Sequence, residues 1–213
     1  MPDILVINPN SNELVTEKLR DTLSDLESVA AIECITMSDG PFGIESGADA
    51  AIAASLVVER IGNEHYRDAC VIACYSDPGL RESRRLFETP VFGMQESALK
   101  NAAENDLRFG VLALSDESIA RHLPYIDSLE LTDALAAELP LDVSVEETAV
   151  GHGILEKVIA TGRRLIDEFG ANAIVLGCAG LAALREPAEQ ALSVPVIEPV
   201  RAAVLDAIFA TAA

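Results

Sequence analysis

The sequence predicts an α/β protein of two pseudo-symmetric domains, each a short parallel sheet flanked by helices, with the active site in the cleft between them. Three observations lead there. Apolar runs of four to eight residues alternate with stretches at helical spacing along the whole chain, the pattern of buried parallel strands joined by crossover helices. Residues 68–80 (DACVIACYSDPGL) and 172–184 (NAIVLGCAGLAAL) are alike, each an apolar run that stops at a cysteine followed by small, turn-prone residues. The likeness continues downstream, where TPVFGMQESAL (89–99) answers VPVIEPVRAAV (194–204), and the cysteine-to-proline intervals, Cys74 to Pro90 and Cys178 to Pro195, agree to one residue. Such a duplication puts Cys74 and Cys178 at the carboxyl ends of equivalent strands, one thiol on each of two facing half-sites. Residues 1–96 plus 200–213 are expected to form the N-terminal domain and 97–199 the C-terminal one.

Taken in order, ILVINPNS (4–11) is a strand that breaks at Asn8-Pro9-Asn10, with Ser11 or Asn12 placed to cap a helix beginning at Leu14. AAIECITM (30–37) is the second strand. Cys34, in its middle, reads as a small buried hydrophobe without chemistry. The loop DGPFGIESG (39–47) carries three glycines and a proline beyond a strand end, where backbone can approach a ligand closely. A helix over 48–61 leads to the Cys74 strand, and further helices flank the short strand PVFGM (90–94). RFGVLAL (108–114) opens the second half, with Ser115 or Asp116 as a cap that answers Asn8 in position. Residues 119–140 read as helical, LDVSVEET (141–148) as the next strand, and the helix-rich stretch 151–170 closes on Gly170. His152, between two glycines, is a possible acid or base. Right-handed crossovers then open all the strand-end loops toward one cleft.

Composition excludes several function classes. Of the 213 residues 35 are acidic and 15 basic, a net charge of −20, which argues against nucleic acid and anionic membranes as partners because both need basic patches. No apolar run has the roughly 18 residues of a membrane helix, and the N-terminus runs into a strand without a signal-peptide pattern. A cytoplasmic protein is expected, acting on a small-molecule substrate and assembled as a homo-oligomer. Four cysteines in such a chain read as free thiols. Cys70 and Cys74 have no histidine at ligand spacing, so no metal site is expected. NPNSNE, CYSDPG and CAGLAA match neither a dinucleotide fingerprint nor a Walker loop, and no lysine lies near either cysteine motif in sequence to hold pyridoxal phosphate. No cofactor is expected.

A cysteine at a strand end just before a helix lies near the positive end of the helix dipole, which favours thiolate. One such residue suggests a covalent nucleophile, although that role wants a histidine partner. Two on opposing half-sites suggest proton transfer: a thiolate removes a proton from one face of a carbon and a thiol returns one to the other, inverting the stereocentre. A C–H beside a carbonyl is a weak acid, so donors must stabilise the enolate oxygen. The backbone N–H groups of Tyr75, Ser76, Ala179 and Gly180 are the candidates.

At INPNS (7–11), GPFGIE (40–45), ACYSDPGL (73–80), PVFGMQESA (90–98), LGCAGL (176–181) and PVIEPV (195–200) the chain resembles the aspartate/glutamate racemase superfamily, and more closely its hydantoin racemase branch. The resemblance implies a cofactor-free racemase with Cys74 and Cys178 as the two acid/base thiols. It also implies that Asn8, the Pro41-Phe42-Gly43 loop, Ser76, Ser115 and the backbone after Cys178 line the substrate pocket. Tyr75-Ser76 and Ala179-Gly180 are similar to the hydantoin type, whose cyclic ureide needs fewer charged contacts. Ala113-Leu114-Ser115 replaces the paired threonines usual in that branch, and Phe42 resembles an aromatic residue of the amino-acid racemases. The expected substrate is therefore a 5-substituted hydantoin or a related ureide such as allantoin. An aspartate or glutamate racemase, a one-thiol isomerase or decarboxylase, and a non-catalytic binding protein stay open as alternatives.

Overall fold

The computed structural model describes residues 1–211; Ala212 and Ala213, assigned from sequence to the N-terminal domain, lie outside the described residues. The first half runs β1 (Asp3–Asn8), α1 (Glu13–Leu23), a 3-10 segment (Ser24–Ser28), β2 (Ala31–Thr36), α2 (Gly47–Gly62), β3 (Ala69–Ile72), α3 (Leu80–Leu86), β4 (Val91–Gly93) and α4 (Met94–Glu104). The second runs β5 (Phe109–Ala113), α5 (Asp116–Ser128), β6 (Leu135–Pro140), α6 (Val145–Val150), α7 (Ile154–Phe169), β7 (Ala173–Leu176), a 3-10 segment (Ala179–Leu184), α8 (Arg185–Leu192), β8 (Val196–Ile197) and α9 (Pro199–Thr211).

Each half holds a four-stranded parallel sheet, in the order β2-β1-β3-β4 and β6-β5-β7-β8. The two orders are the same permutation, so β3 and β7, which carry the two cysteine motifs, are topological equivalents. Both are buried along their whole length, as strands covered by helices on both faces must be. The two sheets share one apolar core, in which Val6 and Val71 of the first sheet join Phe109 and Leu112 of the second. A smaller cluster, including Ile7, Ile72 and Val57, fills the other face of the first sheet under α2. The last helix returns to the first half: α9 lays Val200, Ala203 and Val204 across α4 and strands β1, β3 and β4. Its start is tied to the 3-10 segment after α1 by two bonds from the Arg201 guanidinium to the Asp25 carboxylate, 2.6 and 2.7 Å.

Two stretches differ from the sequence reading. Residues 119–140 do not form one helix. The chain leaves α5 at Leu129, passes Glu130 in the left-handed region (φ 60°) and then forms β6. Leu, Ala and Glu favour helix, but pairing with β5 at the sheet edge overrides that local preference. Residues 141–148 are then not a strand. Ser144 and Glu147 form a reciprocal capping box that starts α6, a signal the sequence did carry. No helix among the described residues is long and apolar enough to cross a membrane.

Candidate active site

The carboxyl ends of β1, β3, β5 and β7 converge on one cavity between the halves, and both Cys74 and Cys178 line it. The space between its walls, open mouth included, is about 440 Å³. Val15, Ile44, Leu114 and Val145 make the apolar side; Asn10, Ser118, Arg121 and His122 supply polar groups.

Cys74 follows β3 at a tight turn whose amides, from Ser76 (2.8 Å) and Asp77 (2.9 Å), both donate to the Cys74 carbonyl. Asp77 sits at φ 44°, and its buried carboxylate accepts the N–H groups of Gln95 (3.0 Å) and Glu96 (2.9 Å) at the start of α4. The thiol turn is thereby pinned to the helix behind it. Gly93 permits this, because a side chain there would fall directly on the Asp77 carboxylate. Burial pushes Asp77 up to about 7, against those two donors.

Cys178 caps the 3-10 segment after β7, and its Sγ accepts the Gly180 N–H at 3.4 Å. The Thr148 hydroxyl stands 3.9 Å from the same sulfur and donates to the Val145 carbonyl at 2.7 Å. Lys18 reaches in from α1 to the Thr148 carbonyl, 2.8 Å away, close enough for its charge to be felt by Cys178. The expectation that no lysine approaches either motif holds along the chain but not in space.

The expected thiolate-favouring helix ends are not what the thiols meet. The first helix after Cys74 starts only at Leu80, and Cys178 is followed by a 3-10 segment. Burial wins instead. It pushes Cys74 up to about 12, with the Ser76 hydroxyl 3.5 Å away opposing it and the charge of Cys178 adding to it. Cys178 is also pushed up by burial, against the Gly180 amide and Thr148. Cys74 keeps some surface toward the cavity, yet protein atoms surround it closely enough to desolvate it.

Of the other residues expected from sequence, Tyr75, Ser76, Ala179 and Gly180 line the cavity, whereas Asn8, Pro41, Phe42, Gly43 and Ser115 do not. Asn8 is fully buried, its amide committed to Asn10, the Asn12 carbonyl and Thr16; this ladder leaves Asn10 as the loop's contribution to the wall. Phe42 is 55% exposed, and its loop reaches the cavity through Ile44. Ser115 caps α5 by accepting the Ser118 amide at 3.2 Å, so Ser118 faces the cavity in its place. His152 is exposed, away from the site. Two of the four candidate enolate donors are engaged: the Ser76 N–H with the Cys74 carbonyl and the Gly180 N–H with Cys178 Sγ.

Arg121 and His122 were not anticipated, because adjacent positions on a helix carry no motif. Arg121 donates to the carbonyls of Glu45 (2.7 Å) and Glu117 (3.2 Å), and Glu45 accepts the Val145 amide at 2.8 Å. These bonds tie the 39–47 loop of the first half to the second. His122 Nδ1 lies 2.5 Å from Glu138 Oε1, both side chains buried, and the Tyr75 ring meets the imidazole edge-on at 5.0 Å.

Residues 4–207 match the Asp/Glu/Hydantoin racemase family. The chain belongs to that family, and with it to the isomerases. It is 34% identical to a hydantoin racemase from Paenarthrobacter aurescens over 206 residues, covering 94% of this racemase and 87% of that one. Among solved structures, an allantoin racemase from Klebsiella pneumoniae superposes with a TM-score of 0.90 at 34% identity, covering 100% of this chain and 88% of that one. The allantoin racemase AllR from Pseudomonas fluorescens gives 0.88 at 26% identity, covering 96% and 88%. This racemase thus shares its fold with two allantoin racemases.

Proposed function

We propose that this protein is a cofactor-independent racemase of 5-substituted hydantoins or a related ureide such as allantoin, inverting the carbonyl-adjacent carbon by proton transfer between Cys74 and Cys178. The observation that carries this reading is the placement of two thiols, from topologically equivalent strand ends, on the wall of one small cavity. The names of the relatives support the ureide class. One thiolate takes the α-proton, the C–H electron pair passes into the adjacent carbonyl as an enolate, and the opposite thiol delivers its proton to the other face. Substrate is inverted and the thiols exchange protonation states. The Tyr75 and Ala179 amides are the donors left for the enolate oxygen, and the apolar walls exclude water that would weaken them.

An NMR exchange experiment in heavy water tests this, with hydantoins, allantoin, aspartate and glutamate incubated separately with the enzyme. Exchange of the α-hydrogen, with inversion, in the ureides alone is expected. Exchange confined to the amino acids overturns the substrate class, and no exchange in any tube overturns the reaction.

The raised thiols fix the sign of the pH dependence. The reaction needs one thiolate and one thiol, and below the pair's lower apparent value the singly ionised fraction grows about tenfold per pH unit. We therefore expect kcat/KM to rise steadily between about pH 6 and 8. A profile flat over that range would show a thiolate already formed in the free enzyme.

A further inference from the structure

On the reading just given, we infer that His122 is a specificity-determining residue, its Nε2 accepting the N–H of the ureide nitrogen bonded to the carbon that is inverted. A carboxylate is an acceptor only, so the 2.5 Å contact with Glu138 calls for a proton on Nδ1, and with the imidazole taken as neutral the lone pair is then on Nε2. Nε2 is left with a lone pair and no hydrogen-bond partner among the described residues, on a side chain that lines the cavity. A nitrogen in that state recognises an N–H and disfavours a carbonyl or ether oxygen in the same place. The Tyr75 ring on one side and the buried carboxylate on the other fix the ring's orientation.

The pair is a poor stability device. Glu138 is buried with its second oxygen, Oε2, unpartnered, and a buried carboxylate held by a single partner costs more than an apolar pair of the same shape. Its use lies in setting the tautomer of a cavity-facing imidazole, as carboxylates do behind other functional histidines. His122 also follows Arg121 on α5 and so sits beside the bonds that close the 39–47 loop over the site. A ring N–H directed at it would seat the neighbouring stereocentre in the same cavity as both thiols.

The test takes whichever of 5-benzylhydantoin and allantoin wild type turns over faster and compares it with the oxazolidine-2,4-dione carrying the same 5-substituent, in which a ring oxygen replaces that N–H, using wild type and His122→Phe. Intrinsic differences in C–H acidity cancel when the ratio of the two kcat/KM values is compared between enzymes. Wild type should prefer the hydantoin by at least about tenfold more than the variant does, since an acceptor facing an oxygen is left unpaired. Equal losses on both substrates, with the ratio unchanged, would make His122 merely structural and overturn the inference while leaving the racemase reading intact. Glu138→Gln, which keeps the side-chain volume but frees the tautomer, should narrow the ratio in the same direction; an unchanged ratio there overturns the inference even if His122→Phe does not fold. No racemisation of either 5-benzylhydantoin or allantoin by wild type overturns the functional reading and this inference together.

Discussion

Cys74→Ser and Cys178→Ser are each expected to lower racemisation in both directions by about 10²–10⁴-fold, the range a positioned acid or base contributes. A serine hydroxyl is too weak an acid to supply the base, and burial, which already pushes Cys74 up to about 12, would push it further. Solvent deuterium gives the more searching readout. Each enantiomer presents its α-proton to one thiol. A variant that keeps only that thiol can remove the proton and return deuterium to the same face, labelling the substrate without inverting it. Cys74→Ser and Cys178→Ser should therefore label opposite enantiomers. If one variant keeps full activity, the reaction uses one thiol, and the fold is being used as in an isomerase or decarboxylase with a single acid/base group. If both keep it, neither thiol is the acid/base.

The architecture was legible because the duplication was. Parallel strands buried on both faces read as continuous apolar runs, and the matched Cys74 and Cys178 motifs gave the pseudo-symmetry that the sheet orders show. What failed was local preference. The Leu-Ala-Ala-Glu-Leu-Pro segment of β6 has helical composition and becomes a strand only because β5 offers an unpaired edge, a long-range fact. The site was half legible for a related reason. Residues beside the cysteines line the cavity because the strand ends do, whereas Asn8 and Ser115, expected from position and from the resemblance, turn out to hold the loops that carry Asn10 and Ser118. Arg121 and His122 reach the site from a helix, with Glu138 behind His122 on an edge strand and Lys18 behind Thr148 on another helix. Nothing in their spacing announces a shared destination.

Gly180→Ala should be nearly as damaging as the loss of a thiol, for a reason that concerns position and not chemistry. A methyl group at residue 180 would collide with Thr148 Oγ1 and lie 3.6 Å from Cys178 Sγ. Thr148 cannot easily withdraw, since its hydroxyl is bonded to the Val145 carbonyl at 2.7 Å and its own carbonyl holds Lys18 at 2.8 Å. The segment 178–180 must shift instead, carrying with it the Gly180 amide that donates to the sulfur and the Ala179 amide proposed to face the enolate. A misplacement of about 1 Å at reacting groups costs on the order of 100-fold, so kcat/KM should fall by about that factor. Overpacking of this kind also costs about 1–3 kcal/mol of stability, which thermal unfolding would read as a modest drop in Tm with the fold retained. Thr148→Ala added to Gly180→Ala removes the colliding oxygen, and the double variant should recover activity toward that of Thr148→Ala alone, a coupling expected only for residues in contact. If Gly180→Ala turns over normally, the backbone after Cys178 does not set the position of the thiol, and the small residues that follow Cys178 need a different explanation.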